Sequence, residues 1–251
     1  LLESKGPVPL SPRMSSGDYW MACGEEGSTA QDWKGRQIRV ASTAQTEIAT
    51  AIGANPLSME YGEAFEALQR GTVDCTFVQG QVAGSTGLME AAPHVSHFSD
   101  SRMIGATTAM NVAGSTFAQL PLAYQQIIFD AEVANFHGAL RNTMDSSHKA
   151  VLDSADAGGS ITALDPDVEQ SMADQQDALV DDLIEAEKVP ADTHERMTGL
   201  ADKWTAIVEE MGYEDGGALE DLPEWYEPGD VDFRPLGERL MQESALEHRP
   251  A

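Results

Sequence analysis

The stretch from Gln37 to Gln79 limits the fold more than any other. QIRV at 37–40 and TVDCTFV at 72–78 bracket two segments of helical spacing, and a short extended piece, NPLSMEY, lies between those segments. Ile38 and Val40 alternate with Gln37 and Arg39, the period of a strand with one buried face. TAQTEIATAI at 43–52 places apolar residues three and four apart and stops at Gly53, and GEAFEALQR at 62–70 does the same before Gly71. Glycine is favoured just past a last helical turn, where the backbone turns left-handed. An Asn-Pro pair opens the middle piece as a turn. Strand, helix, strand, helix, strand predicts an α/β layer with a largely parallel sheet, because parallel neighbours need a crossover and a helix is the usual one. Ligands of such layers sit at the carboxyl ends of the strands.

The flanking segments read more coarsely. DYWMAC at 18–23 is a short strand, GEEGSTAQ a loop, and DWKG a turn delivering the chain into a strand at 37–41. GQVAGSTG at 80–87 reads as a glycine-rich loop leading into a helix, and MIGATTAMNV from residue 103 as a strand of small residues. A long helix runs from Leu122 to about Asp153; at 1.5 Å per residue it exceeds about 40 Å, enough to cross two small domains. Helices return at 166–187 and 190–212, and the Pro- and Gly-punctuated tail ends in a short amphipathic helix. No run of eighteen apolar residues predicts a membrane-spanning helix, and LLESKGPVPLSPRM lacks the charged start and apolar stretch of an export signal.

Charge excludes whole classes of partner. Of 251 residues, 42 are acidic and 15 basic, a formal net charge of −27, and the five lysines form no cluster. A nucleic acid or an anionic membrane surface needs basic patches, so neither is a partner. So large an acidic excess suits salty surroundings, where screening shortens self-repulsion; an ordinary acidic secreted protein is the alternative. No phosphate-binding loop, dinucleotide fingerprint or nucleophile elbow appears, and pairs such as Asp181-Asp182 and Glu209-Glu210 read as solvated helix faces. His94 and His97 would share a metal on a helix, but Pro93 and Val95 argue against a helix there. Cys23 and Cys75 are either a disulfide or two inert thiols at the ends of apolar strands. Arg39 has two readings as well: a solvated strand face, or five donors lining a ligand cleft for a carboxylate.

In chain order, DWKGRQIRV, IGANPLSMEYGEAFEALQRGTVDC and FAQLPLAYQQIIFDA resemble the solute-binding proteins of TRAP (tripartite ATP-independent periplasmic) transporters. The series is a D-x-K-G turn before the arginine strand, G-A-x-P before a short strand, a helix ending A-L-Q-x-G, then V-D, and x-L-P before a long helix. The resemblance implies an α/β fold of the two-lobed periplasmic-binding-protein type with a long lobe-spanning helix, in the periplasm or another extracytoplasmic space. Such a receptor closes on a small organic acid and hands it to TRAP membrane permease subunits. It is no enzyme, needs no cofactor and inserts nothing into the membrane. A sensor or scaffold of the same fold, contacting a protein partner, is the alternative.

The family's carboxylate-binding arginine lies on the strand after D-x-K-G, which is Arg39 here. Two other family positions differ: a second arginine falls at Tyr19 and an asparagine at Val78. Both losses speak against sugar acids and doubly clamped dicarboxylates, whose polar groups each need a partner. Tyr19, Trp20, Phe77 and Val78 instead imply a cleft with apolar surface, suited to a monocarboxylate with a hydrophobic or aromatic body. Gln79 and Gln81 follow the strand as candidate hydrogen-bonding partners. Some branches of the family carry V-D-C with a cysteine near the first strand, which favours a Cys23–Cys75 disulfide. The implied organisation is a remnant of lobe I at 1–14, the ligand-binding lobe II at 15–100, a return strand at 101–121, the spanning helix at 122–153, and C-terminal helices and tail at 154–251. Relatives carry an N-terminal segment before the equivalent of residue 15 that has no counterpart here.

Overall fold

The computed structural model describes residues 8–10, 17–103, 112–214 and 216–251. Its strands are β1 (Val8–Pro9), β2 (Tyr19–Cys23), β3 (Gln37–Val40), β4 (Asn55–Ser58), β5 (Cys75–Gln79), β6 (His94–His97), β7 (Val112–Ala113) and β8 (Ile161–Ala163). Six of them form one sheet in the order β4-β3-β5-β2-β6-β8, and β1 pairs with β7 in a separate ribbon. β3 runs parallel to β4 and β5, and β6 parallel to β8, as the alternation predicts. The exception is β2, which lies mid-sheet and runs against both β5 and β6. Five strands therefore end on a common edge, and β2 begins there.

Helices α1 (Ala30–Trp33), α2 (Thr43–Ala51), α3 (Tyr61–Gln69) and α4 (Gly80–Thr86) alternate with the first strands. After them come α5 (Leu122–Asp156), α6 (Pro166–Glu185), α7 (Thr193–Glu210), α8 (Leu222–Trp225) and α9 (Arg234–Leu240). The strand period sorts side chains onto two covered faces. Met21, Ile38, Val40 and Phe77 pack with Trp33, with Ile48 of α2 and with Met172 of α6. Trp20, Ala22 and Val78 pack on the other face with Leu68 of α3, Ala83 of α4 and Val151 of α5.

Two local readings need correction, and one strand was not foreseen. GQVAGSTG is itself the helix α4 rather than a loop before one, and its glycines serve packing. A Cβ on Gly84 would lie 1.9 Å from the carbonyl oxygen of Ser146, so α4 meets α5 backbone to backbone. ITA at 161–163 is a strand, too short to display a period, and AQDW forms one turn of helix closed by a Thr29–Asp32 capping box. MIGATTAMNV lies outside the described residues over 104–111; Val112–Ala113 is strand.

The long helix extends to Asp156, and its 35 residues make it about 52 Å long. Near its start Ile128 packs on Leu10, Ala113 and Phe117 of the ribbon region, and near its end Ala150 and Val151 enter the sheet core. It thus joins the two parts of the fold. Cys23 and Cys75 face each other in the β2–β5 register and are joined by a disulfide, Cα to Cα 4.1 Å.

Candidate functional site at the carboxyl edge

Arg39 sits one residue from the end of β3, on the face opposite Ile38 and Val40, and is only 4% exposed. Its Nε donates to the carbonyl of Met59 at 3.0 Å, which the parallel β3–β4 register brings to the same edge. The guanidinium lies 5.0 Å from the ring centre of Tyr61, the first residue of α3. Burial lowers its pKa from the ordinary arginine value, while Tyr61, Tyr19 and Glu60 act in the opposite sense. Among the described residues no carboxylate comes within ion-pair distance of Arg39. A buried guanidinium normally has a carboxylate partner, because desolvation without one is costly.

Tyr61 escaped the sequence reading, because nothing in its local pattern separates it from a helix-opening residue. Burial raises its pKa. Its hydroxyl is buried without a well-formed hydrogen bond; Thr86 beside it donates instead to Val82 O at 2.8 Å.

The remaining candidates divide. Tyr19 opens β2 opposite Gln79, half-buried, its ring edge-on to Phe77 at 6.2 Å and its amide donating to Met103 O at 2.8 Å. Gln79 ends β5, is 5% exposed and precedes α4. Tyr19, Arg39, Tyr61 and Gln79 thus share the carboxyl edge. Phe77 and Val78, expected to line the cleft, are core residues at 1% and 0% exposure. Trp20 is core too, packed so closely on α4 that a Cβ at Gly80 would meet its indole at 2.4 Å. The reason is that helices cover both faces, so alternation moves a mid-strand side chain from one core to the other and never to a surface.

The edge is continued by the loop Ser99–Ser101, pinned by Glu169 of α6. The buried carboxylate accepts from Ser99 N at 2.9 Å, Ser99 Oγ at 3.0 Å, Asp100 N at 2.8 Å, and from Ser101 N. Burial alone would raise its pKa, but the amides of Ser99, Ser101 and Asp100 outweigh burial and hold it at about 2. His94 and His97 lie on a strand and part company: His94 Nδ1 meets Ser160 Oγ at 3.0 Å, and His97 Nε2 meets Glu220 Oε2 at 3.0 Å. Among the described residues no group of three His, Cys, Asp or Glu side chains could hold a metal ion, and no helix is long and apolar enough to cross a membrane.

Comparison with known proteins bears on the family and the fold. The family model of bacterial extracellular solute-binding protein, family 7 (DctP), matches residues 2–187. No curated protein matches the chain. Among solved structures, a TRAP periplasmic solute-binding protein of Desulfovibrio salexigens with bound orotic acid is 22% identical, TM-score 0.65, covering 82% of this chain and 65% of its own. The periplasmic ectoine-binding protein of the TeaABC TRAP transporter of Halomonas elongata is 21% identical, TM-score 0.63, with 77% and 62% covered. An extracytoplasmic solute receptor of Bordetella pertussis binding pyroglutamic acid is 17% identical, TM-score 0.63, with 78% and 64% covered. The chain thus spans slightly less than two thirds of these proteins, and the likeness is one of fold, the two-lobed α/β fold of TRAP receptors. By its family match this chain belongs to bacterial extracellular solute-binding protein family 7, a family of periplasmic TRAP-type solute-binding proteins rather than enzymes.

Proposed function

We propose that this chain captures a small organic acid through an Arg39–carboxylate pair and delivers it to the membrane permease subunits of a TRAP transporter. The observation that carries this reading is Arg39 itself: buried, its Nε spent on Met59, its guanidinium 5.0 Å from the Tyr61 ring centre, and no carboxylate paired with it among the described residues. Charge-assisted hydrogen bonds contribute about 1.5–3 kcal/mol each, and micromolar affinity needs about 8 kcal/mol, so Arg39 supplies a large share and burial the rest. Tyr19 and Gln79 stand at the same edge as further contacts. Val78 is sealed in the core, so that position offers a second polar group of the ligand nothing; a monocarboxylate fits better than a sugar acid or a dicarboxylate. Residues 15–100 act as the ligand-binding lobe, with 1–14 and 101–121 belonging to the other lobe and the long helix tying both. Closure of the lobes stabilises the bound state through contacts made only there.

The test is a thermal-shift screen of the parent and Arg39→Ala against small carboxylates. A ligand at a hundred times its Kd adds about 2.7 kcal/mol, a rise in Tm of roughly 5–10 °C for a chain of this size. A shift in the parent that Arg39→Ala loses supports the reading; equal shifts in both remove Arg39 from the site, and no shift with any acid removes the function.

A further inference from the structure

We infer that the cavity on the α2 side of the carboxyl edge receives an apolar body at the far end of the acid, so that this receptor selects carboxylates carrying a bulky hydrophobic group. The inference rests on Arg39 as the carboxylate clamp.

The cavity measures about 720 Å³ and lies between α2, α6, the start of α7 and the segment Ser101–Met103. That volume is within the range of small-molecule sites. Ile48, Met103, Leu179, Val180 and Met197 give it an apolar wall. Some of the polar groups at its rim are already engaged, whereas Ser101 Oγ is buried with no hydrogen-bond partner. Ser42 Oγ accepts from Gln45 N at 3.2 Å, and Gln45 Oε1 accepts from Ala41 N at 2.7 Å. Arg102 pairs with Asp18 at 2.9 Å, and His194 Nε2 lies 3.0 Å from Asp181 Oδ1. With Asp177 also at its wall, the cavity repels a second anionic group and offers an uncharged one a place out of water. Two lining residues bring the cavity to the carboxyl edge where Arg39 lies: Tyr19, which opens β2 there, and Ala41, two residues beyond Arg39. A ligand anchored at Arg39 and passing over the Tyr19 ring has its far end in the cavity. An acid of two or three carbons would leave that space to water.

Isothermal titration with acetate, butyrate, hexanoate and 4-phenylbutyrate reads this directly, on the parent, Ala173→Phe and Arg39→Ala. Ala173 lines the cavity from α6, and a ring there projects into it and obstructs it. In the parent each added methylene tightens binding by about threefold to fourfold. Ala173→Phe flattens the series while leaving acetate unchanged, and Arg39→Ala abolishes binding of every acid. Met197→Asp, at the exposed mouth, weakens only the long acids and serves if Ala173→Phe does not fold. A flat series in the parent whose binding still depends on Arg39 overturns the cavity assignment and leaves the receptor reading intact. So does a gradient that survives Ala173→Phe. If no acid binds the parent, the receptor reading falls and the cavity assignment falls with it.

Discussion

Replacing Glu169 by Gln removes a charge that four donors of the Ser99–Ser101 loop share. The folded state holds this carboxyl at about 2 against an ordinary 4.5, a difference of about 2.5 units, or about 3 kcal/mol of stability at neutral pH. Because the folded value is the lower one, the contribution is complete above pH 4.5 and disappears as the pH falls through about 2. The same relation leaves roughly 1.4 kcal/mol at pH 3 and a few tenths at pH 2. An amide adds a smaller loss independent of pH, since its NH2 faces backbone donors that had found an oxygen. Urea unfolding of parent and Glu169→Gln at pH 7, 4 and 3 measures the difference directly, and the acid response of the other carboxylates cancels in it. The expected difference is about 3 kcal/mol at pH 7, shrinking by roughly half at pH 3. A difference that stays the same across this range would show that shape, not charge, holds the loop, and would refute the reasoning.

Gly84→Ala drives a methyl into the Ser146 carbonyl and should cost about 2–4 kcal/mol in urea unfolding, whereas Gly62→Ala, with nothing within 4 Å of its Cβ, should be neutral or slightly stabilising; equal effects would mean that α4 and α5 are not in backbone contact. Cys23→Ala combined with Cys75→Ala opens a loop whose ends are 52 residues apart, and chain entropy then puts the loss at about 4 kcal/mol by chemical unfolding. A loss below about 1 kcal/mol would show the cross-link to be redundant with the β2–β5 ladder. With a net charge of −27, the Tm should rise by several degrees between about 0.1 and 1 M NaCl, as the screening length falls from about 10 to about 3 Å; a flat profile would mean that the charges are too dispersed to repel.

The parallel half of the sheet was legible because its signals agree: strand period, helix period, and glycine at each helix end between Gln37 and Gly71. The course of β2 was not, since alternation in DYWMAC marks a strand without its direction, and direction depends on neighbours remote in the chain. GQVAGSTG misled for a related reason. Small residues raise local freedom and also permit close helix contact, and only the presence of α5 decides between the two. Among the site candidates Arg39 was legible as a charged residue interrupting an apolar strand, and the structure buries it. Trp20, Phe77 and Val78 were not distinguishable from lining residues, because a sheet covered on both sides has no outer face for alternation to report. Tyr61 follows a strand too short and irregular to indicate where its end points.

The pairing of Tyr19 with Met103 has a mechanical meaning. The chain enters the six-stranded lobe at the first and leaves it at the second, joined there by a backbone hydrogen bond of 2.8 Å. At the far side the same two passages arrive paired again, Val8 with Ala113 and Pro9 with Val112. The chain is thus hydrogen-bonded to itself where it meets the sheet and again where it meets the ribbon, and α5 is a further link, with Ile128 on the ribbon region and Val151 in the sheet core. Two parts linked at several places resist a free twist of one about the other more than a single tether would.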